Sequence, residues 1–378
     1  MRNFALKNYQ SVLLEIFLNQ GIRRFELSDK LSMAPASVTK YCAMLIKKHI
    51  VIEDNLNKER NVSLSLNPRW KRMLGIDIGG YQMRVGILEA NGTFSLIDEF
   101  PTPDNPAILK SVISKYSITT DGVGIGVTGV IDERGKTLDI FPNKRSWDRY
   151  SFEDIKAGNL FVTTSGRAAA VHEKNFGVLK NYINAMHINF GFGIQSSLYI
   201  NGEAVSGDTN AAGEFGHVYS SAIAGRCTCG NYGCLENVAT VPMIINKIVS
   251  KAAQPSAAGM LAEKYQKSLS TISSDDIRDA FSKGDSSVLA EVNVTAEAIA
   301  LALSGIVNVV NPSAISIGGF LPVLFPGIHR IVYERLKSKA LDANYRKLAV
   351  LESVSPIYGA CAGAALIPLL NSIKMVND

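Results

Sequence analysis

The chain has 378 residues, 47% of them hydrophobic and 19% charged, which is enough length for two or three domains that each bury a core. No run of about 18 uncharged apolar residues occurs and the start carries no cleavable leader pattern, so a spanning helix and a secreted product are excluded and a cytoplasmic protein is expected. Five cysteines, with Cys42 and Cys361 isolated, argue against a disulfide framework, and the net charge of +5 hides an imbalance: residues 1–72 hold thirteen Lys/Arg against six Asp/Glu, the remainder 26 against 28.

In chain order, NYQSVLLEIFLNQ sets Val12, Leu13, Ile16 and Phe17 at helical spacing. RRFELSDKLSM predicts a short second helix. APASVTKYCAMLIKKHI predicts a third, with Pro35 in its first turn and a buried stripe of Val38, Cys42, Leu45 and Ile46. Its other face carries Pro35, Ala36, Ser37, Thr39, Lys40 and Tyr41, small and polar residues that suit close entry into a major groove. Two β-type runs, Val51–Glu53 and Val62–Leu66, flank a hairpin tip with Lys58 and Arg60. Three helices and a basic wing predict a winged helix-turn-helix over residues 1–70 that binds double-stranded DNA. The alternative is a three-helix packing module with no nucleic-acid role.

The body opens with MLGIDIGGYQMRVGILEANG, a strand, an Asp-x-Gly-Gly turn, a second strand and an Asn-Gly turn. DGVGIGVTGVID and AISIGGFL read as buried strands. Strand–Gly–Gly units amid helices predict two α/β lobes with a cleft between them, and no internal repeat stands out. Gln254–Asp276 is Ser/Ala-rich and predicts variable helices; the tail SPIYGACAGAALIPLLNSI predicts a closely packing helix of small residues.

The stretch Glu214-Phe-Gly-His217, followed by Cys227-Thr-Cys229-Gly-Asn-Tyr-Gly-Cys234-Leu-Glu236, resembles the signature of the ROK family of bacterial sugar-responsive repressors and sugar kinases. The resemblance covers residue 73 to the end, and the added N-terminal module resembles the repressor branch. It implies an actin-like, ribonuclease-H-type sugar-kinase fold, with a first lobe over 71–188 completed by the helix of 356–378. A second lobe over 189–355 would carry the dimerisation surface. His217, Cys227, Cys229 and Cys234 then form a closed set of one nitrogen and three thiolates suited to structural Zn²⁺; a redox centre and inert buried thiols are the alternatives.

Phosphoryl transfer needs an aspartate base and glycine-rich phosphate turns. The family's Asn-Asp-Ala-Asn-Ala-Ala-Ala motif aligns with TTSGRAAA, placing Thr164 at the Asn and Ser165 at the catalytic Asp. Tyr81 stands where the first phosphate turn has Thr. Gln195, Ser196 and Ser197 replace small positions of the second, so no sugar kinase activity is expected. Asp77 survives, with a lone turn carboxylate that caps backbone amides as its alternative reading.

Family sugar contacts carry over as Gly129, Glu214, His217 and Glu236, with Thr164 and Ser165 substituted and Asn143 either a further contact or a turn residue. Thr164, Ser165 and Gly166 at the start of a helix over Ala168–Asn175, with Arg167, suit an anionic group, or else merely cap that helix. The expectation is therefore a repressor of carbohydrate-linked genes that acts as a homodimer or dimer of dimers, binds a DNA operator and takes a sugar or phosphosugar effector. The rivals are a kinase with an unusual base and a regulator controlled by a protein partner.

Overall fold

The first helix, α1 (Asn8–Leu18), forms because its apolar residues fall on one face: Val12, Leu13, Ile16 and Phe17 are all fully buried. Each such side chain contributes roughly 1.5–3 kcal/mol. β1 (Ile22–Arg23) and α2 (Arg24–Leu31) follow, the latter entered through Glu26 Oε2, which accepts from Arg23 N at 2.8 Å. α3 (Pro35–Lys47) has Pro35 in its first turn and buries Val38, Cys42 and Leu45, while Ile46 is only half-buried. β2 (Val51–Asp54) and β3 (Ser63–Leu66) pair antiparallel, and β1 adds to β3 to give a three-stranded sheet of order β1-β3-β2. Three helices with this sheet are the parts expected of a winged helix. Its wing tip, with Lys58 and Arg60, lies outside the residues described by the computed structural model, which are 8–54, 62–132, 134–142, 144–209, 211–221, 224–254, 256–268 and 272–376.

The chain divides into two units, Met1–Val171 with Ala360–Asp378, and His172–Gly359. After the winged helix, the first unit contains β4 (Arg72–Ile78), β5 (Gln82–Glu89), β6 (Phe94–Pro101), α4 (Ile108–Tyr116) and β7 (Gly122–Val127). A small sheet of β8 (Val130–Ile131), β9 (Thr137–Ile140) and β10 (Tyr150–Ser151) comes next, then β11 (Leu160–Thr164). The main sheet has the order β11-β7-β4-β5-β6, antiparallel from β4 to β6 and parallel from β4 to β11. β7 is buried at every position, as expected of a strand covered on both faces. α5 (Ser165–Asn175) follows β11 directly, starting three residues earlier than the alanine run alone predicts.

The second unit repeats this plan. β12 (Ala185–Phe190), β13 (Ile194–Ile200) and β14 (Glu203–Ala204) run antiparallel. α6 (Glu236–Ala239), α7 (Val241–Ala252), α8 (Met260–Ser268), α9 (Ser274–Ser282) and α10 (Ser286–Val310) intervene before β15 (Ala314–Gly319). α11 (Phe320–Leu324), α12 (Ile328–Leu336), α13 (Asp342–Tyr345) and β16 (Ala349–Glu352) complete it, and the sheet order is β14-β13-β12-β15-β16. Both sheets thus add two antiparallel strands on one side of the first strand and two parallel strands on the other. This duplication is absent from the sequence pattern because it is a repeat of topology. Among the described residues α10 is long and apolar enough to cross a membrane. It is also the core helix of this unit, with Val292, Ala296, Ile299 and Leu303 fully buried.

α14 (Gly359–Met375) returns the chain to the first unit. Small residues let backbones meet: a methyl group on Gly75 would lie 2.3 Å from Cys361 O, one on Gly124 1.8 Å from Ala364 O, and one on Gly363 1.8 Å from Ala168 O.

Candidate functional site

The residues singled out in the second unit gather around one loop. Phe215–His217 form a single 3-10 turn that buries Phe215, leaving Glu214 exposed before it and His217 half-buried at its end. Two isolated bridges, Tyr219 to Cys234 and Arg226 to Tyr232, fold the following segment back on itself. Cys227 N donates to Asn231 O at 2.7 Å and Gly230 N to Cys227 O at 3.0 Å, closing the knuckle between the first two cysteines and the third. Gly230 and Gly233 take φ of +98° and +79°, which a side chain would strain, and a methyl on Gly233 would strike the Tyr219 ring at 2.4 Å. Asn237 Nδ2 ties the loop from the far side, donating to Ala224 O and Arg226 O, both at 2.9 Å.

This folding brings one ligand atom each from His217, Cys227, Cys229 and Cys234 within 4.8 Å of one another. Cys229 Sγ and Cys234 Sγ are 3.7 Å apart, and Cys227 Sγ is 3.9 Å from His217 Nδ1. A disulfide would need about 2 Å. A tetrahedron with sulfur bonds of about 2.3 Å has edges of about 3.8 Å, so the set can hold one metal ion. Burial, then the neighbouring thiols, push Cys234 up to about 12 without a cation, whereas hydrogen bonding from Asn231 leads the lowering of Cys229. A compact thiol set of this kind ionises fully only against a cation.

Glu236 begins α6 two residues after Cys234, and its Oε1 accepts from Ile194 N at 2.9 Å. The same carboxylate lies against Gly193 and Gly216, where an added methyl would approach Oε1 to 2.9 Å in both cases. The cysteine loop thus leads directly into Glu236, whose carboxylate lies against the Gly191–Gly193 turn. Gln195, Ser196 and Ser197 lie in strand β13, which leaves that turn. Ser196 is buried and pins the chain before Glu214: Ser196 N and Oγ donate to Gly213 O at 2.9 and 3.0 Å.

In the first unit, Ser165 is buried and its Oγ donates to Asp77 Oδ1 at 2.6 Å. Asp77 is therefore neither alone nor a backbone cap. Burial pushes its carboxyl above the usual range, against the hydrogen bond from Ser165 and the charge of Arg84, whose Nη1 is 3.5 Å from Oδ2. Arg84 is shared, since its Nη2 also meets Glu99 Oε1 at 2.9 Å. The pairing joins β4 to the start of α5 across 88 residues of sequence, a contact no local pattern announces.

Thr164, the last residue of β11, caps α5: its Oγ1 accepts from Arg167 N at 3.3 Å. Capping thus falls to Thr164, with Ser165 committed to Asp77. Gly129 has φ of +124°, and a methyl there would lie 2.1 Å from Ile140 O, so its place is a demand of the backbone turn. Asn143 lies outside the described residues. Tyr81, in the β4–β5 turn, is 64% exposed. The candidate effector residues thus divide between units: Gly129, Thr164, Ser165 and Arg167 in the first, Glu214, His217 and Glu236 in the second.

On α3, Pro35, Ala36, Thr39 and Lys40 are exposed while Ser37 and Tyr41 are half-buried. Thr39 Oγ1 donates to Pro35 O at 2.9 Å, and the Tyr41 ring leans on Tyr9 with centroids 6.4 Å apart. Lys40 is thus the exposed cation among these six residues.

A model of the ROK family matches residues 73–367. The chain is 27% identical over 337 residues to a xylose repressor of Bacillus spizizenii, covering 83% of this chain and 82% of that one. It is 23% identical over 384 residues to the DNA-binding transcriptional dual regulator NagC of Escherichia coli, covering 94% and 91%. Among solved structures, a ROK family transcriptional regulator homologous to the Escherichia coli MLC protein superposes with a TM-score of 0.75 at 22% identity over 97% of both chains. A ROK family glucokinase of Streptomyces griseus, in complex with glucose and AMPPNP, superposes at 0.69 and 22% identity over 78% of this chain and 98% of its own.

Proposed function

The chain belongs to the ROK family, and on that premise we propose that it is a DNA-binding transcriptional regulator, a repressor of carbohydrate-linked genes, whose body senses a sugar or phosphosugar. The observation that supports this reading is the union of two parts: an N-terminal three-helix module with an open α3 face, and a family body in which Ser165, the residue aligned with the base position, is hydrogen-bonded to Asp77. Relatives matched over most of their length are named xylose repressor and NagC, which supports the same reading.

In this reading Pro35, Ala36, Ser37, Thr39, Lys40 and Tyr41 face the major groove, and Lys58 and Arg60 of the wing reach phosphates. Zn²⁺ is the ion that best suits one imidazole and three thiolates, and its role is structural, since the four protein donors complete a tetrahedron. It supplies the charge that keeps the thiolates ionised. The chain's own residues do the rest: the loop sets Glu214, His217 and Glu236, and Glu236 holds Ile194 N. A sugar is recognised by hydroxyl hydrogen bonds to these carboxylates. A homodimer or dimer of dimers presents two heads to a palindromic operator.

The body is not a kinase in this reading. A serine hydroxyl already donating to a buried carboxylate takes no proton from a sugar. The contrary reading, with Asp77 itself as base, draws on the same 2.6 Å contact.

The test selects a duplex from a random library with the full chain and measures anisotropy with added xylose, N-acetylglucosamine, glucose and their phosphates. At least one sugar should change DNA affinity roughly tenfold, as coupling free energies of allosteric proteins allow. Failure to select any duplex, or sugar-dependent ATP turnover above background, would overturn the proposal.

A further inference from the structure

α14 ends against the N-terminal module. Gln10, on α1 and 8% exposed, donates through Nε2 to Lys374 O at 2.6 Å and to Val376 O at 3.1 Å. The last carbonyls of a helix lack intrahelical donors, so a side chain from the opposite end of the sequence completes this one.

At its other end the same helix rests on backbone. Cys361 O meets Gly75 of β4, the strand that carries Asp77; Ala364 O meets Gly124 of β7; and Gly363 meets Ala168 O on α5, behind Ser165 and Arg167. Halfway along, Asn159 Nδ2 donates to Pro368 O and Ser372 Oγ, both at 3.3 Å. Seventeen residues of helix span about 25 Å. A shift of β4 or α5 cannot be absorbed where the contacts are backbone against backbone, so it moves the first turns of α14, and the helix passes the shift on through the turn that holds Pro368, which Asn159 and Ser372 brace.

We propose that Gln10 is a positioning residue for the DNA-binding head: it grips the end of α14, and displacement of that helix at its glycine seats reaches α1 through this grip. The inference rests on the reading of the N-terminal module as a DNA-binding head. Chemistry sets the expected series at this position. Gln10→Glu removes the donor and sets a negative charge against the negative end of the helix dipole, whereas Gln10→Lys keeps a donor there with favourable charge.

The experiment is amide hydrogen exchange on the full chain, which needs neither DNA nor sugar. Asn159→Gly frees the middle of α14 without strain, since Asn159 has φ of +53°. In the wild-type background it should speed exchange of the Asn8–Leu18 amides roughly tenfold. Gln10→Glu should speed those amides by itself and leave Asn159→Gly with no further effect, while Gln10→Lys should behave as wild type. Ser372→Ala serves as the milder second variant, and the β12 amides report any general loss of structure. Unchanged α1 exchange in both variants, or equal effects with and without Gln10→Glu, would sink the proposal. Anisotropy with a selected duplex gives the functional readout: Asn159→Gly should change DNA affinity in the wild-type and Gln10→Lys backgrounds only. If no duplex can be selected, the DNA-binding reading fails while the exchange data still decide whether the grip transmits.

Discussion

Ser165 and Asp77 illustrate how a residue acquires its meaning from a partner far away in sequence. The alanine run places Ser165 at the head of a helix, but only the β4–β7–β11 register sets Asp77 beside it. Replacing Ser165 by Asp would bring a second carboxylate against the first, raising one pKa further, so the variant should still fail to turn over ATP with sugars in a coupled assay. The metal set behaves oppositely and was legible from spacing, because its ligands sit within one loop whose glycines and cysteines declare the turn. Cys234→Ser should lower bound zinc measured by plasma emission well below one per chain and reduce the thermal midpoint by at least about 5 °C. His187 adds a buried titration that spacing does not reveal. Its Nδ1 lies 2.7 Å from Ser316 Oγ, its ring fills the space a methyl on Gly318 would need, and burial holds its pKa down at about 4 despite the charge of Glu173, with His172 lowering it further. The folded pKa lies below the ordinary value of about 6.5, so the folded state binds fewer protons in that window. Stability should therefore fall as pH drops from about 6.5 towards 4, by about 3 kcal/mol in all. In His187→Gln, urea titrations across that range should show a flatter dependence.

At the scale of elements, α1 and α3 were readable because each packs on a short-range apolar stripe, with Ile46 only half-buried at the end of α3, whereas α2 buries Leu27 alone. β4, β5, β7, β15 and α14 were readable for the same reason, being apolar runs bounded by glycine. The duplicated sheet order was not, since pairing between β12 and β15 spans a helical insertion with no periodic signature. Nor was the fate of Gln195 to Ser197, where a glycine-poor stretch continues as strand β13. Seating of α14 offers a direct test at this level. Gly363→Ala should cost about 2–3 kcal/mol by chemical denaturation, because its methyl meets a carbonyl 1.8 Å away. Gly305→Ala, on α10 with open space around it, should be neutral or slightly stabilising.

For the whole molecule, charge is the quantity that matters most. The surplus of Lys/Arg sits in residues 1–72, while the remainder is close to balance. Binding to a selected duplex should therefore weaken steeply with salt, by roughly 10³-fold between 50 and 200 mM if each head of a dimer neutralises about three phosphates. Lys40→Ala should flatten that slope by close to one unit without altering which duplex is preferred. A salt-independent affinity would mean that the module meets a partner other than nucleic acid.

The glycine contacts of α14 also predict how this protein can diverge. Where main chain touches main chain, there is no side chain left for selection to trim or enlarge. Deep mutational scanning should accordingly find Gly75, Gly124 and Gly363 nearly immutable, while Tyr81, with its side chain in solvent, accepts many replacements. A lineage can vary its exposed side chains and keep the same helix seat, because backbone against backbone has no alphabet to drift through.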